Sequence, residues 1–237
     1  MSDLETVIRD LVIANHILAH EDVLDAYGHV SMRHPERPDR FLISCSRAPE
    51  LVQPSDIGEY DFEGKLVSNT DHKPYLERFI HGGIFEARPD VMAVIHSHAE
   101  DTLPFSITNQ PLIPVLHNAS RIGMHVPVWD PRDSFGDTNM LVANAAQGRD
   151  LAARGLGSNS VVLMRGHGFA ASGANLLEVM GLAVYLPKNA RVLTNALRFG
   201  PVNGLSAGEI DLIHNGPQAH DWKRAWEYWC RRAGFEK

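Results

Sequence analysis

The sequence predicts an α/β layered fold with a mostly antiparallel sheet, and two observations support this prediction. Helical segments alternate with short apolar runs of strand length along the 237 residues. The short runs lie close together, and a parallel pair would need a long crossover between its strands. No internal repeat, low-complexity segment or linker interrupts the chain. We therefore predict a single domain over residues 1–237, with a Trp-rich tail from about residue 206.

The N-terminal part of the chain predicts one helix and several short strands. A capping box of Ser2 and Glu5, followed by apolar residues at helical spacing, predicts a helix over about 3–20. The segment YGHVSMRHPERPDRFLISCS predicts two strands joined by a Pro-rich turn at 35–39. The segment YDFEGKLV predicts a short strand or turn with Gly64 at the reversal.

The middle of the chain predicts a helix, a strand and two further helices. HKPYLERFIHGGIFEARPD (72–90) predicts a helix with Pro74 in its first turn, where the missing N–H costs nothing. VMAVIHSH (91–98) is rich in β-branched residues and predicts a strand. A helix is expected to start within 99–106, and another is expected over about 138–154.

The C-terminal part predicts two buried strands and two helices. SVVLMRGHGFAAS predicts strands on either side of a turn at Gly166, His167 and Gly168. NLLEVMGLAVYLPKNARVLTNAL predicts a long helix with a kink at Pro187. The tail DWKRAWEYWCRRAGF is amphipathic and carries three of the four tryptophans.

Composition and charge narrow the class of function. A formal net charge of −7 and the lack of a Lys/Arg run argue against a nucleic-acid-binding protein. Cys45 and Cys230 have no metal-binding spacing and form no disulfide framework, which agrees with a reducing cytoplasm. The N-terminal residues lack the pattern of a signal peptide, and no apolar stretch approaches about 18 residues. We expect a soluble, cytoplasmic protein that binds neither nucleic acid nor a membrane.

Three histidines are candidates for a metal site. His96 and His98 lie two apart at the end of a predicted strand, where such side chains point the same way, roughly 7 Å apart. His167 stands between glycines after the apolar run VVLM, and a tight turn there projects its side chain from a rigid element. Three imidazoles leave a divalent ion its full charge and open positions. Glu77 lies on the preceding helix, although spacing alone does not distinguish it from a solvated glutamate.

These residues together resemble the class II aldolase/adducin family. The resemblance rests on Glu77, 18 intervening residues and His96-x-His98, and on the stretches ARPDVMAVIHSHAE and LMRGHGFAASG. It extends to about residue 200. It implies a three-layer α/β/α fold around a central, mostly antiparallel sheet, in a cyclic homotetramer with active sites at subunit interfaces.

The resemblance also implies roles for the site residues. His96, His98 and His167 correspond to the ligands of one divalent metal ion per subunit. Glu77 corresponds to the acid/base, which also touches the metal when substrate is absent. Zinc or manganese is the expected ion, with iron and cobalt as alternatives.

The sequence departs from the sugar-phosphate aldolases of this family at the elements that hold a phosphate. Those enzymes carry Gly-Asn-(Ile/Phe)-Ser, a Thr-Gly loop and a Ser-Ser pair before the acid/base glutamate. Here these stretches read Gly28-His29-Val30-Ser31, Ser44-Cys45-Ser46-Arg47 and Tyr75-Leu76. Because a leucine cannot hydrogen-bond a phosphate, we expect this chain to lack the phosphate site.

The replacing residues favour a carboxylate substrate. Arg47 has a planar fork suited to a carboxylate, Tyr75 and His29 can flank a flat ring, and Ser46 and His117 complete the predicted substrate-binding set. The stretches GHVSMR, RAPELV, PYLERFIHG and PVLHNAS resemble the decarboxylase branch of the family, which acts on ortho-hydroxylated aromatic or pyridine carboxylates. The sequence therefore predicts a metal-dependent decarboxylase of such an acid or diacid, with Arg47 holding any second carboxylate.

Two other functions stay open at the level of sequence. One is an aldolase or epimerase that acts on a small hydroxy-carbonyl substrate. The other is an adducin-like domain that only mediates protein interactions, although such a domain has no need of the complete set of histidines and glutamate found here.

The tail bears on oligomerisation. Trp222, Trp226 and Trp229 follow helical spacing and predict an apolar stripe larger than a monomer leaves exposed. The alternative is that the tail folds back on its own core. We expect a homotetramer.

Overall fold

The fold is built on one seven-stranded sheet with helices on both faces. In this computed structural model the described residues are 2–68, 71, 73–216 and 221–235. The strands are β1 (His29–Arg33), β2 (Arg40–Ser44), β3 (Ile57–Asp61), β4 (Ala93–Ser97), β5 (Val128–Trp129), β6 (Val161–Met164) and β7 (Gly168–Gly173). The α-helices are α1 (Asp3–His20), α2 (Arg78–Ala87), α3 (Leu103–Ser106), α4 (Arg132–Phe135), α5 (Ala145–Asp150), α6 (Leu176–Ala196), α7 (Ala207–Asn215) and α8 (Lys223–Arg232).

The sheet has the strand order β3-β2-β1-β4-β7-β6-β5. Its strand pairs are antiparallel except for the short edge pair of β5 with β6, which is parallel. The two strands that bear site residues, β1 and β4, are neighbours, and His29 lies opposite His96 in their register. The predicted, mostly antiparallel sheet is confirmed.

Side chains alternate between two apolar cores, one on each face of the sheet. In β4, Ala93 and Ile95 join the larger core, which also contains residues of α1, α6 and α8. Val94 joins the smaller core, which contains residues of α2. Because successive strand residues point to opposite faces, this division gives the expected three-layer α/β/α fold.

Several predicted elements are confirmed in detail. The backbone N–H of Glu5 donates to Ser2 Oγ over 3.2 Å, and that of Ser2 donates to Glu5 Oε2 over 2.8 Å, so the capping box begins α1 as expected. The strands β6 and β7 flank the turn at Gly166, and Pro187 lies inside the long helix α6. Among the described helices, none combines the length and apolarity needed to cross a membrane.

The predicted helix over 72–90 begins later than expected. Its first residue, His72, lies outside the described residues, and α2 begins only at Arg78. Pro74 is not in a helical turn but forms an isolated antiparallel bridge with Cys45, as suits a residue without a donor N–H. The extended backbone at 73–76 lies beside the loop after β2 and holds Tyr75 in the smaller core.

The predicted helix over 138–154 also begins later. Asn144 caps α5 by accepting from the N–H of Gln147 over 3.0 Å, and a turn of π-helix over Leu151–Leu156 follows. Residues 138–144 are irregular because their backbone groups bond to side chains of the candidate site, as described below.

The tail folds against its own chain. Only 7% of Trp222 and 3% of Trp229 is exposed, and Trp226 is half-buried. The rings of Trp222 and Trp229 lie 5.8 and 6.5 Å from that of Tyr185 on α6. A Cβ on Gly181 would stand 2.6 Å from the Trp222 ring, so the close contact requires this glycine. The expectation of an exposed tryptophan stripe is wrong, and the homotetramer stays a prediction from the family resemblance.

Candidate active site

One strand and a tight turn position the three candidate metal ligands. His96 is on β4 and His98 follows that strand, so both side chains leave the same face of the sheet, which is the face covered by α2. His167 occupies the turn between β6 and β7, where Gly166 has a φ of +61°. This left-handed conformation suits glycine and turns the chain so that His167 meets the other two histidines.

The Nε2 atoms of the three histidines converge. His98 Nε2 lies 3.0 Å from His96 Nε2 and 3.2 Å from His167 Nε2. Each ring donates its Nδ1–H elsewhere: His96 to the carbonyl of Phe169 over 3.0 Å, His167 to that of Met140 over 2.9 Å, and His98 to the carboxylate of Asp25 over 3.1 Å. The Nδ1 bonds fix the tautomers and leave three Nε2 lone pairs aimed at one another.

Glu77 completes the cluster from the start of α2. Its Oε2 lies 3.3 Å from His167 Nε2 and 3.5 Å from His96 Nε2. Its Oε1 accepts the backbone N–H of Val142 over 2.9 Å. This hydrogen bond anchors the carboxylate, which is 10% exposed, against the irregular segment before α5.

The cluster fits a divalent cation. One ligand atom from each of the four residues lies within 4.8 Å of the others. Tetrahedral bonds of about 2.0–2.1 Å separate neighbouring ligand atoms by about 3.3 Å, close to the Nε2 separations here. Facing lone pairs repel one another, whereas a bound cation satisfies all of them at once. Class II aldolases use a divalent metal, and these four residues could hold one.

The electrostatics of the cluster agree with this assignment. Burial alone would raise the pKa of Glu77, but the adjacent rings of His167 and His96 outweigh burial and hold the pKa well below its usual range. Burial, with His96 beside it, lowers the pKa of His98. Burial would also lower the pKa of His167, but the carboxylate of Glu77 raises it. An anionic Glu77 among imidazole lone pairs suits a positive ion.

A pocket of about 380 Å³ opens beside the cluster. Glu77, His98 and His167 form one side of it, and the remaining lining residues are Tyr27, His29, Ser46, Tyr75, Leu76 and Leu141. The lining is mainly apolar or aromatic, and within the described part of the chain it includes no Lys or Arg. Its size and lining suit a small, mostly apolar molecule that approaches the cluster with its polar end.

Three of the five predicted substrate-binding residues line this pocket, and two do not. His29, Ser46 and Tyr75 are in the lining. The guanidinium of Arg47 instead pairs with the buried carboxylate of Asp56, with Nη1 to Oδ2 at 3.3 Å. His117 is exposed, on a short 3₁₀-helix, and is not in the lining either. The substrate-binding roles of Arg47 and His117 stay predictions that the pocket lining does not support.

Sequence reasoning missed three residues that support the site. Asp25 accepts from the Nδ1 of His98 and from two backbone N–H groups of the turn before β1. Met140 has a φ of +66°, rare for a residue with a side chain, and presents its carbonyl to His167. His81 is fully buried against His29. Only His81 had a sequence signal, because a residue four after Glu77 lies on the same helix face.

Comparison with known proteins identifies the family. The model of the class II aldolase and adducin N-terminal domain matches residues 9–194. The chain belongs to the class II aldolase and adducin family. Decarboxylase tropJ of Talaromyces stipitatus is 34% identical, over 94% of this chain and 92% of that protein. L-fuculose phosphate aldolase of Escherichia coli is 30% identical, over 78% of this chain and 81% of that protein.

Solved structures of the family share the fold. The structure of an aldolase II superfamily protein from Pseudomonas syringae has a TM-score of 0.79 and is 22% identical, over 98% of this chain and 94% of that one. The predicted resemblance to the decarboxylase branch is confirmed by the tropJ relative. This class II aldolase family member is an enzyme of the carbon–carbon lyase class, as the sequence predicts.

Proposed function

We propose that this enzyme decarboxylates an aromatic or pyridine acid that carries a hydroxyl ortho to the departing carboxylate, with a divalent metal held by His96, His98 and His167. The observation that carries the proposal is the pocket, a mainly apolar and aromatic cavity whose described lining has no Lys or Arg, beside the histidine and glutamate cluster. The identity to a decarboxylase over nearly the whole chain supports the same reaction.

The pocket favours an acid with a single carboxylate. A second carboxylate or a phosphate would enter a cavity whose described lining offers it no cationic side chain, and an unpaired charge away from water is costly. Arg47 pairs with Asp56, so the role first expected of Arg47 in holding a second carboxylate is no longer part of the proposal.

The chain's own groups can carry the protons of the reaction. A divalent metal held by His96, His98 and His167 would supply Lewis acidity for oxygens of the substrate. The anionic carboxylate of Glu77 takes the proton of the ring hydroxyl and delivers it to the ring carbon that bears the carboxylate. The bond to the carboxyl carbon then breaks, its electron pair returns to the ring, and carbon dioxide leaves. Tyr75 and His29 hold the ring plane meanwhile.

An aldolase or epimerase function is the second candidate. It is favoured by the 30% identity to L-fuculose phosphate aldolase, and the same acid/base glutamate would serve it. A phosphorylated substrate agrees poorly with the apolar residue Leu76 in the pocket lining. The candidate is therefore restricted to small unphosphorylated hydroxy-carbonyl compounds.

The test is an assay of carbon dioxide release by metal-loaded protein. The panel contains ortho-hydroxybenzoates and hydroxypyridine carboxylates, each with and without a second carboxylate, and the para-hydroxy isomers as matched controls. We expect release from ortho-hydroxy acids alone, because only they present two oxygens to the same ion. Aldol cleavage of sugar phosphates, with no carbon dioxide released from any acid of the panel, would overturn the proposal.

A further inference from the structure

A fully buried histidine, His81, has no part in the reaction as proposed but contacts a residue that does. It lies on α2, one helical turn after Glu77, and is 0% exposed. Its Nε2 lies 2.7 Å from Nδ1 of His29, and its Nδ1 lies 2.5 Å from Oγ of Ser31. His29 and Ser31 project from the same face of β1, so the three side chains form one buried row that ends at the pocket.

The direction of the two hydrogen bonds follows from counting protons. Burial lowers the pKa of His81 to about 3, so this ring carries one proton. In the described part of the chain the Ser31 hydroxyl makes no other hydrogen bond. If His81 donated to Ser31, the hydroxyl proton would be buried without an acceptor, which is unfavourable. The hydroxyl therefore donates to His81 Nδ1, and His81 donates its Nε2–H to His29 Nδ1.

This direction decides what His29 presents to the pocket. A ring nitrogen that accepts a hydrogen bond carries no proton, so the single proton of a neutral His29 is on Nε2. Nε2 is the ring nitrogen not engaged with His81, and His29 is one of the residues that line the pocket. His29 also lies beside His96 in the sheet, with ring centroids 5.1 Å apart, so its ring is next to the cluster.

We propose that Ser31 and His81 are positioning residues that fix Nε2 of His29 as the hydrogen-bond donor for an acceptor oxygen of the substrate. The identity of that oxygen, as one belonging to a hydroxyaromatic acid, rests on the proposed function, whereas the tautomer does not. This role gives a reason for burying three polar side chains, Ser31, His81 and His29, in one hydrogen-bonded row.

Nitrogen-15 NMR of the zinc-loaded protein tests the tautomer directly. Histidine is labelled with nitrogen-15, and the His29 signals are assigned by their loss in His29→Asn. We expect a protonated Nε2 and an unprotonated Nδ1 at His29, and the same pattern at His81. A proton on Nδ1 of His29 would overturn the proposal, whatever reaction the enzyme catalyses.

Two substitutions of His81 test the consequence for substrate. The amide of His81→Gln reaches about as far as imidazole Nε2 and can still donate to His29, whereas His81→Leu cannot. We expect kcat/KM for carbon dioxide release to fall about tenfold in His81→Leu, mainly through KM, and to stay within about threefold of wild type in His81→Gln. Metal content and the far-ultraviolet circular dichroism spectrum are expected to match wild type in both variants.

The outcomes separate this inference from the proposed function. Equal kcat/KM in the Leu and Gln variants would contradict the positioning role. If His81→Leu does not fold, the His81→Gln variant and the tautomer of the wild type still decide the question. If no acid is decarboxylated, the proposed function fails, and the NMR result alone tests the fixed tautomer.

Discussion

The two faces of the sheet bury different chemistry. On the face covered by α1, α6 and α8, the strands contribute residues such as Val30, Ile95 and Phe169 to a large apolar core. On the face covered by α2, the same strands bury polar groups beside a smaller core, among them His29, Ser31 and His96. Burying polar groups opposes folding unless each is hydrogen-bonded. The face covered by α1, α6 and α8 therefore stabilises the fold. The buried polar groups on the face covered by α2 contribute less to stability, and their presence there indicates a functional site.

Arg33 lies at the edge of the candidate site, on the face of the sheet covered by α2. It follows Ser31 on the same side of β1, and its guanidinium donates to the carbonyls of Phe85 and Arg88 at the end of α2. The start of α2 carries Glu77, and its end is held by Arg33. Both ends of this helix are thus tied by polar contacts to the strands that position His29 and His96.

The largest expected effect on the α2 face is the loss of a ligand. We expect His96→Ala to lose the bound divalent metal and all carbon dioxide release while the protein remains folded, because the apolar core on the other face is unchanged. Metal analysis together with circular dichroism checks this. The exposed histidine His125 provides the control, since His125→Ala is expected to keep both metal and activity. A fully loaded His96→Ala protein would remove His96 from the site.

A smaller but still large effect is expected at the acid/base. Glu77→Gln keeps an acceptor for the N–H of Val142 but cannot take up and deliver a proton. We expect turnover to fall about 10²–10⁴-fold with the metal still bound. The matched control is Glu86→Gln, an exposed glutamate on the same helix. Turnover near the wild-type value in Glu77→Gln would show that Glu77 is not the acid/base.

Replacing a residue that orients a ligand is expected to weaken metal binding less than replacing the ligand itself. Asp25→Asn removes the negative charge that accepts from His98 Nδ1, and we expect metal affinity to fall about 10–100-fold. Competition with a chelator measures this affinity. Asp22→Asn, an exposed change in the same loop, serves as the control. If the two variants bind metal equally, Asp25 does not orient His98 for the ion.

The smallest expected effect on catalysis comes from the other face. Leu186 on α6 is fully buried in the larger core, and Leu186→Ala is expected to cost about 2–5 kcal/mol of the free energy of unfolding. Below its melting temperature the variant should keep its metal and turn over within about twofold of wild type, because Leu186 belongs to the larger core on the other face of the sheet. Urea unfolding and steady-state kinetics test both statements. A large loss of turnover would show that the site on the α2 face depends on the packing of the larger core on the other face.

The sequence and the family resemblance predicted the residues of the candidate metal cluster but not the residues that support them. His96 and His98 were accessible because strand periodicity places residues two apart on one face. Asp25 and the carbonyl of Met140 act through contacts made only in the folded chain, and no local pattern identifies them. Arg47 was assigned to a substrate because Asp56, its partner, lies in a separate turn whose position depends on the sheet.

The fold was predicted in outline, and its errors have two causes. Helix starts were set too early where other parts of the chain pair with the backbone, as Glu77 does at Val142, His167 at Met140 and Cys45 at Pro74. The tryptophans of the tail show the second cause. Their helical spacing predicts an apolar stripe correctly, but spacing does not tell whether α6 of the same chain or another subunit covers it.

X-ray absorption of the zinc-loaded protein tests the metal assignment most directly, because it reports the atoms bound to the ion. We expect three imidazole nitrogens at about 2.0–2.1 Å from the ion and oxygen in the remaining positions. In His96→Ala the imidazole count is expected to fall or the ion to be lost. Fewer than three imidazoles around the ion in the wild-type protein would contradict the assignment of His96, His98 and His167 as the metal ligands.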